Sequence, residues 1–192
     1  MNCRMCSRQA GFTIVEVLIA SALLIAVSAG VGHLIGVATV RGRDARMQTC
    51  TALLAAARME QLRALAWGYE PGIKSGKVPR SDTATDLSTP LPTQTGPGLT
   101  SSPSGTLSSN VPPYVDYLGE RGQWVGAGAS PPPQAVFIRR WSIRPLPDDP
   151  ARTLILSVLV TTVAHETART APWSARSQDE TLLVTVRTRE GT

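Results

Sequence analysis

At 192 residues the chain has room for one domain with a modest core, and its 16 Gly and 15 Pro against 5% aromatics point to a loop-rich architecture. The net charge is +5, but no run of Lys or Arg is interleaved with aromatics, which argues against a nucleic-acid partner. Cys3 and Cys6 fall within the first eleven residues, so losing that segment leaves Cys50 alone and no intrachain disulfide.

The chain opens with a short basic leader, residues 1–11, which carries Arg4 and Arg8 and ends in Gly11. Cys3-Arg4-Met5-Cys6 has the spacing of a metal or redox pair, but no second pair or neighbouring histidine completes a site. An apolar run, residues 12–40, follows. Its start reads Gly11-Phe12-Thr13-Ile14-Val15-Glu16-Val17-Leu18-Ile19-Ala20, with Glu16 as its lone carboxylate. From Val17 to Val40 no residue carries a formal charge. That stretch exceeds the ~20 residues a spanning helix needs. Ser21, Ser28, Thr39 and His33 are tolerable there, because short polar side chains bond back to the helix. A charge at the centre of such a helix costs about 2.5–3.5 kcal/mol on the lenient insertion scales, so Glu16 calls for a partner or a task.

Two blander readings exist for this segment. It can be an ordinary signal anchor with Glu16 at headgroup level. It can also be a secretory signal cut near Val27-Ser28-Ala29, although the apolar run continues well beyond that point. Charge counting leaves topology ambiguous, since Arg41, Arg43 and Arg46 follow the run while only Arg4 and Arg8 precede it. Gly30, Gly32 and Gly36 each cost a helix about 1 kcal/mol relative to Ala. Gly32 and Gly36 have the spacing that lets helices approach closely, and they are the candidate helix-packing residues. His33, set among them, reads as an interfacial residue rather than a ligand.

The basic leader, Gly11, Phe12, the apolar run and a Glu at the fifth position after Gly11 resemble, in that order, the prepilin N-terminus of type IV pilins and type II secretion pseudopilins. The resemblance implies a prepilin peptidase that cuts after Gly11 and methylates the new amine of Phe12. It also implies that Glu16 helps the subunit dock into a growing filament. The implied partners are other pilin or pseudopilin subunits and an inner-membrane assembly platform. The implied location is the bacterial inner membrane, single-pass, with the C-terminal head in the periplasm. Major pilins often carry a proline at the depth where this chain has glycines and His33.

Beyond the run, Met47, Thr51, Leu54, Arg58, Leu62 and Leu65 follow a three-and-four spacing, with Cys50 and Ala57 widening the stripe. The spacing predicts an amphipathic helix over residues 41–67, capped by Gly68 in the left-handed conformation. If continuous with the membrane segment it would reach about 80 Å, with Gly42 as a possible bend. Leu53 to Arg63 resembles the same helix in minor pilins and pseudopilins of the PilV and GspI types.

Residues 68–134 are dominated by Pro, Gly, Ser and Thr, a composition that builds no core, and they predict a region that is either partly disordered or an extended loop draped over the globular head. Tyr114 to Leu118 and Gln123 to Val125, around a Gly-rich turn, form a possible short hairpin. Asp82, Asp86, Asp116 and Glu120 lack calcium-loop spacing and read as solvated. Residues 135–192 hold three strand-like runs, 135–145, 153–163 and 180–189, of which the second, nearly all apolar, should be central. Pro147-Asp148-Asp149-Pro150 is a turn signal between the first two, and short links predict an antiparallel meander.

A helix with one apolar stripe and a sheet with one apolar face need each other. The expected fold is therefore α+β, a long N-terminal helix packed on a small C-terminal antiparallel β-sheet, which is also the pilin-like architecture. No catalytic, cofactor or metal site is expected. His165 beside Glu166 lacks a nucleophile elbow and reads as an exposed loop residue. The expected function is a structural filament subunit, a minor pilin or pseudopilin. The alternative is a membrane-anchored periplasmic binding or adhesion module with no filament role.

Overall fold

The computed structural model describes residues 12–71, 76–168 and 180–189. The leader, with Cys3, Cys6 and Gly11, lies outside the described residues, as do Pro172 and Trp173. The chain divides into two compact units, Met1–Arg43 and Asp44–Thr192. One helix, α1 (Ile14–Ala64), belongs to both and runs through Gly42 without interruption.

In the second unit, α1 from Thr51 onward buries Thr51, Ala55, Arg58, Met59 and Leu62. This stripe differs from the predicted one at two places: Cys50 and Ala57 are exposed, and Ala55 and Met59 take the inner positions. The helix repeat of 3.6 residues makes the buried face step by four and then three, which carries it past Cys50 and Ala57. The helix stops at Ala64, earlier than predicted. Gly68 is not a left-handed cap but part of strand β1 (Trp67–Pro71), which pairs antiparallel with β2 (Lys77–Ser81). The helix end is closed instead from a distance. The Arg187 guanidinium donates to the Leu62 carbonyl at 3.1 Å, satisfying one of the four carbonyls that a helix terminus leaves free.

The main sheet has five strands: β3 (Val115–Leu118), β4 (Trp124–Ala127), β5 (Phe137–Pro145), β6 (Thr153–Thr162) and β7 (Thr181–Thr188), in the order β4-β3-β5-β6-β7. All pairings are antiparallel. The helix-on-antiparallel-sheet α+β arrangement is the one expected. The three predicted runs form β5, β6 and β7, joined as a meander, and the second of them, β6, is central as expected, paired with β5 on one side and β7 on the other. The possible hairpin is real, but it belongs to the sheet: β3 sits between β4 and β5, so the sheet starts well before residue 135.

One core fills the space between α1 and the sheet. Ala55, Met59, Leu62, Phe137, Trp141, Leu156 and Val158 meet there. A smaller cluster of Val115, Tyr117 and Ile138 lies on the other face. The Pro- and Gly-rich middle is built onto this framework rather than detached from it. Leu87 and Leu99 insert into the main core, each 3% exposed. Asp82 receives hydrogen bonds from the amides of Ala84 and Thr85 and from Thr85 Oγ1, which closes a local turn. Further along, Arg140 Nη1 reaches the Leu107 carbonyl, drawing that segment over the second face of the sheet. A stretch poor in apolar residues can dock when its few leucines are well placed and its backbone polar groups are met locally.

Candidate functional site

The first unit presents the predicted membrane segment as a helix on which no described residue packs. Phe12 is 83% exposed, and Ile14, Leu18, Leu24, Ile25 and Leu34 are each more than half exposed. This part of α1 is long and apolar enough to cross a membrane. Thr13 caps its start. The Glu16 amide donates to the Thr13 carbonyl at 3.1 Å and to Thr13 Oγ1 at 3.3 Å. Thr13 and Glu16 thus occupy the N-cap and third positions of the helix, in a Thr-x-x-Glu pattern that was readable in the sequence and missed. The carboxylate sits in the first turn, where the helix dipole favours it by ~0.3–1 kcal/mol. No described cation pairs with it.

Further along, side chains built at Gly32 and Gly36 would meet nothing within 4 Å. With His33, Val37, Val40 and Arg41 these glycines outline a shallow notch on the helix surface. Ser21 and Thr39 donate back to the carbonyls of Val17 and Gly36, which satisfies their hydroxyls inside an apolar stretch.

The second unit holds a buried charge cluster where a solvated carboxylate was expected. Asp116 on β3 is fully buried. It accepts from Arg58 Nη2 of α1, and from Arg139 Nε at 2.9 Å and Nη2 at 2.6 Å. Arg58 also donates to the Leu87 carbonyl and lies 4.3 Å over the Trp141 ring, while Arg139 donates to the Leu54 carbonyl at 3.2 Å. Burial pulls the Arg58 guanidinium down to about 10 and Arg139 adds to that pull, against the attraction of Asp116. The group therefore stays charged at neutral pH. The cluster ties α1, β3, β5 and the 87 segment together. The legible signal was an arginine, Arg58, on the apolar stripe of a helix, because such a residue is buried only with a partner.

A second polar cluster holds the opposite face. Arg140, 1% exposed, donates to Asn110 Oδ1 and to Glu166 Oε1, the latter at 2.8 Å. His165 is half-buried in a short helix, α2 (Val163–Ala168), rather than in an exposed loop, and its Nδ1 is 3.3 Å from Thr161 Oγ1. Glu166 thus serves Arg140. Among the described residues no group of three or more His, Cys, Asp or Glu comes together as a metal site.

Residues 6–32 match the prokaryotic N-terminal methylation motif. The match spans the leader end, Phe12, Glu16 and most of the apolar run, up to Gly32. It identifies a prepilin-type signal, which supports the type IV pilin and pseudopilin class, processing by a prepilin peptidase and association with a membrane. No curated protein and no solved structure matches the chain.

Proposed function

We propose that the chain is a minor pilin or pseudopilin, a noncovalent subunit of a type IV pilus or type II secretion type filament. In this reading it is cut after Gly11, N-methylated at Phe12 and assembled through the first half of α1. The observation that carries the proposal is Glu16, a lone carboxylate in the first turn of an exposed apolar helix, inside the matched methylation motif. Magnitudes favour a role beyond capping. The dipole offsets ~0.3–1 kcal/mol, whereas a carboxylate carried into an apolar helix bundle costs several kcal/mol unless paired. Removal of the leader creates a cation within reach of this chemistry, the amine of Phe12. Glu16 of one subunit and that amine on its neighbour can therefore set the register, while the apolar helices supply the bulk of the contact. Gly32 and Gly36 permit close helix approach. The helix from Leu53 to Arg63 favours the PilV or GspI type within the class.

The test is made on chain recovered from a host that carries the assembly machinery. The intact mass is expected to show a start at Phe12 with one added methyl, and Gly11→Val is expected to abolish this processing. Glu16→Ala should still insert and be cut, yet enter filaments about tenfold less or worse. An unprocessed N-terminus in assembled material would reject the reading and favour a membrane-anchored binding or adhesion module. Normal incorporation of Glu16→Ala would reject the pairing mechanism.

A further inference from the structure

Trp141 and Ile143 belong to the main core, so Arg140, Ser142 and Arg144 line up on the other face of β5. Segment 102–110 is fastened beside this row at two places. At one end Ser102 exchanges hydrogen bonds with the backbone of Ile143. The Ser102 amide donates to the Ile143 carbonyl at 2.9 Å, and Ser102 Oγ accepts from the Ile143 amide at 3.0 Å. At the other end Arg140 donates to Asn110 Oδ1 at 2.9 and 2.7 Å and to the Leu107 carbonyl at 3.4 Å. Gly105, between the two fastenings, has a φ of +79°, the left-handed conformation that lets the loop turn back. The Ser108 hydroxyl donates to the Gly105 carbonyl at 2.8 Å and holds that turn closed.

The arch encloses a cavity of about 290 Å³, walled by Pro103, Ser104, Leu107 and Ser108 and, from β5, by Ser142 and Arg144. Ser142 is 4% exposed and its cross-strand neighbour Ser157 2%, yet neither hydroxyl is hydrogen-bonded to a described residue. Buried hydroxyls are nearly always satisfied, so Ser142, which lines the cavity, calls for a partner there. Arg144 is exposed at the end of β5 and makes neither an ion pair nor a hydrogen bond with any described residue. No carboxylate lines the cavity, and the nearby Glu166 is held by Arg140. Ser142 therefore stands between two arginines of its own strand, one committed and one not, in a positive field.

We propose that this cavity binds an acidic sugar unit, a hexuronate, with its carboxylate on Arg144 and its ring hydroxyls on Ser142 and Ser104. The planar guanidinium matches a carboxylate through two parallel hydrogen bonds. Serine hydroxyls both donate and accept, which suits a ligand carrying hydroxyls of its own, whereas inorganic phosphate offers mainly acceptors. Pro103 and Leu107 give the ring an apolar wall. The cavity lies at the lower end of the ~300–1,000 Å³ range of small-molecule sites, the scale of one sugar ring. The site lies wholly within the second unit and does not rest on the filament reading.

The test uses the full-length chain in detergent micelles, with glucuronate, glucose and inorganic phosphate as probes in isothermal titration calorimetry. Glucuronate is expected to bind saturably, glucose about tenfold more weakly or worse, and phosphate more weakly than glucuronate. Arg144→Gln, at an exposed position with no partner to lose, should weaken glucuronate about tenfold. Ser142→Ala should weaken it about fivefold. Arg121→Gln, on the exposed β3–β4 turn and outside the cavity, should change nothing. The proposal is overturned if glucuronate does not saturate, if glucose binds as well, or if Arg144→Gln or Ser142→Ala has no effect. Tighter binding of phosphate would make the cavity a bare oxyanion site and overturn the sugar. An equal loss with Arg121→Gln would reduce the binding to net charge and overturn the site. None of these outcomes bears on processing at Gly11 or on Glu16, so the filament reading stands or falls separately.

Discussion

Glu16 and Asp116 are both lone carboxylates in apolar surroundings, one in each unit of the chain. Asp116 is enclosed by two arginines of its own chain and is fully buried. Glu16 is exposed on the first half of α1, where the leucines and isoleucines from Ile14 to Ile35 are exposed too. The same physical rule, that a charge leaves water only with a partner, is thus already satisfied within the head and left open in the N-terminal helix. What the second unit completes for Asp116 with Arg58 and Arg139, no described residue completes for Glu16.

The comparison is broken most severely at Asp116. Asp116→Ala strands two guanidiniums in the core and should cost about 3–5 kcal/mol, read as a lower urea midpoint by fluorescence of the tryptophans, Trp141 included. A loss under about 1 kcal/mol would mean that the cluster is not what holds α1 to β3 and β5. Packing sharpens the contrast at the next level. Leu62→Ala, in the core, should cost about 2–5 kcal/mol in the same measurement. Leu24→Ala, on the exposed half of the helix, should stay within about 0.5 kcal/mol. Equal effects would erase the distinction between the two halves of α1.

The smallest expected effect concerns acid. Partial burial pushes the Asp82 carboxyl up, but hydrogen bonds from Thr85 Oγ1 and from the amides of Ala84 and Thr85 outweigh it and hold the group below its ordinary value. A carboxyl depressed in the folded state adds stability above its unfolded pKa and loses it as pH falls through the folded one. Protection of the Ala84 and Thr85 amides, taken relative to their intrinsic exchange rates, should therefore fall on acidification below the ordinary Asp range. Asp82→Asn should flatten that dependence.

The fold class was legible because its two halves announce themselves locally. Residues 51–65 carry an amphipathic period, and the runs that form β5, β6 and β7 are β-branched and bounded by turn residues such as Pro147 and Pro150. The N-terminal signal was legible for the same reason, since Gly11, Phe12 and Glu16 stand within a few residues. Asp116 was not, because its partners are 58 residues before it and 23 after it, and no local pattern couples them. Leu87 and Leu99 were overlooked because an isolated leucine among Pro, Gly and Ser carries no period at all. Thr13 was readable and was overshadowed by the charge three residues later.

Arg189 lies 3.7 Å over the Trp67 ring, faces Tyr69, and donates to the carbonyls of Gly68, Arg80 and Ala151. It therefore clasps the β1–β2 hairpin from a position 121 residues later than Gly68. During synthesis the hairpin leaves the ribosome long before its clasp exists. The segment that follows the helix must wait for this fastening until residue 189 has been made, and a chain cut short before it would lack the clasp.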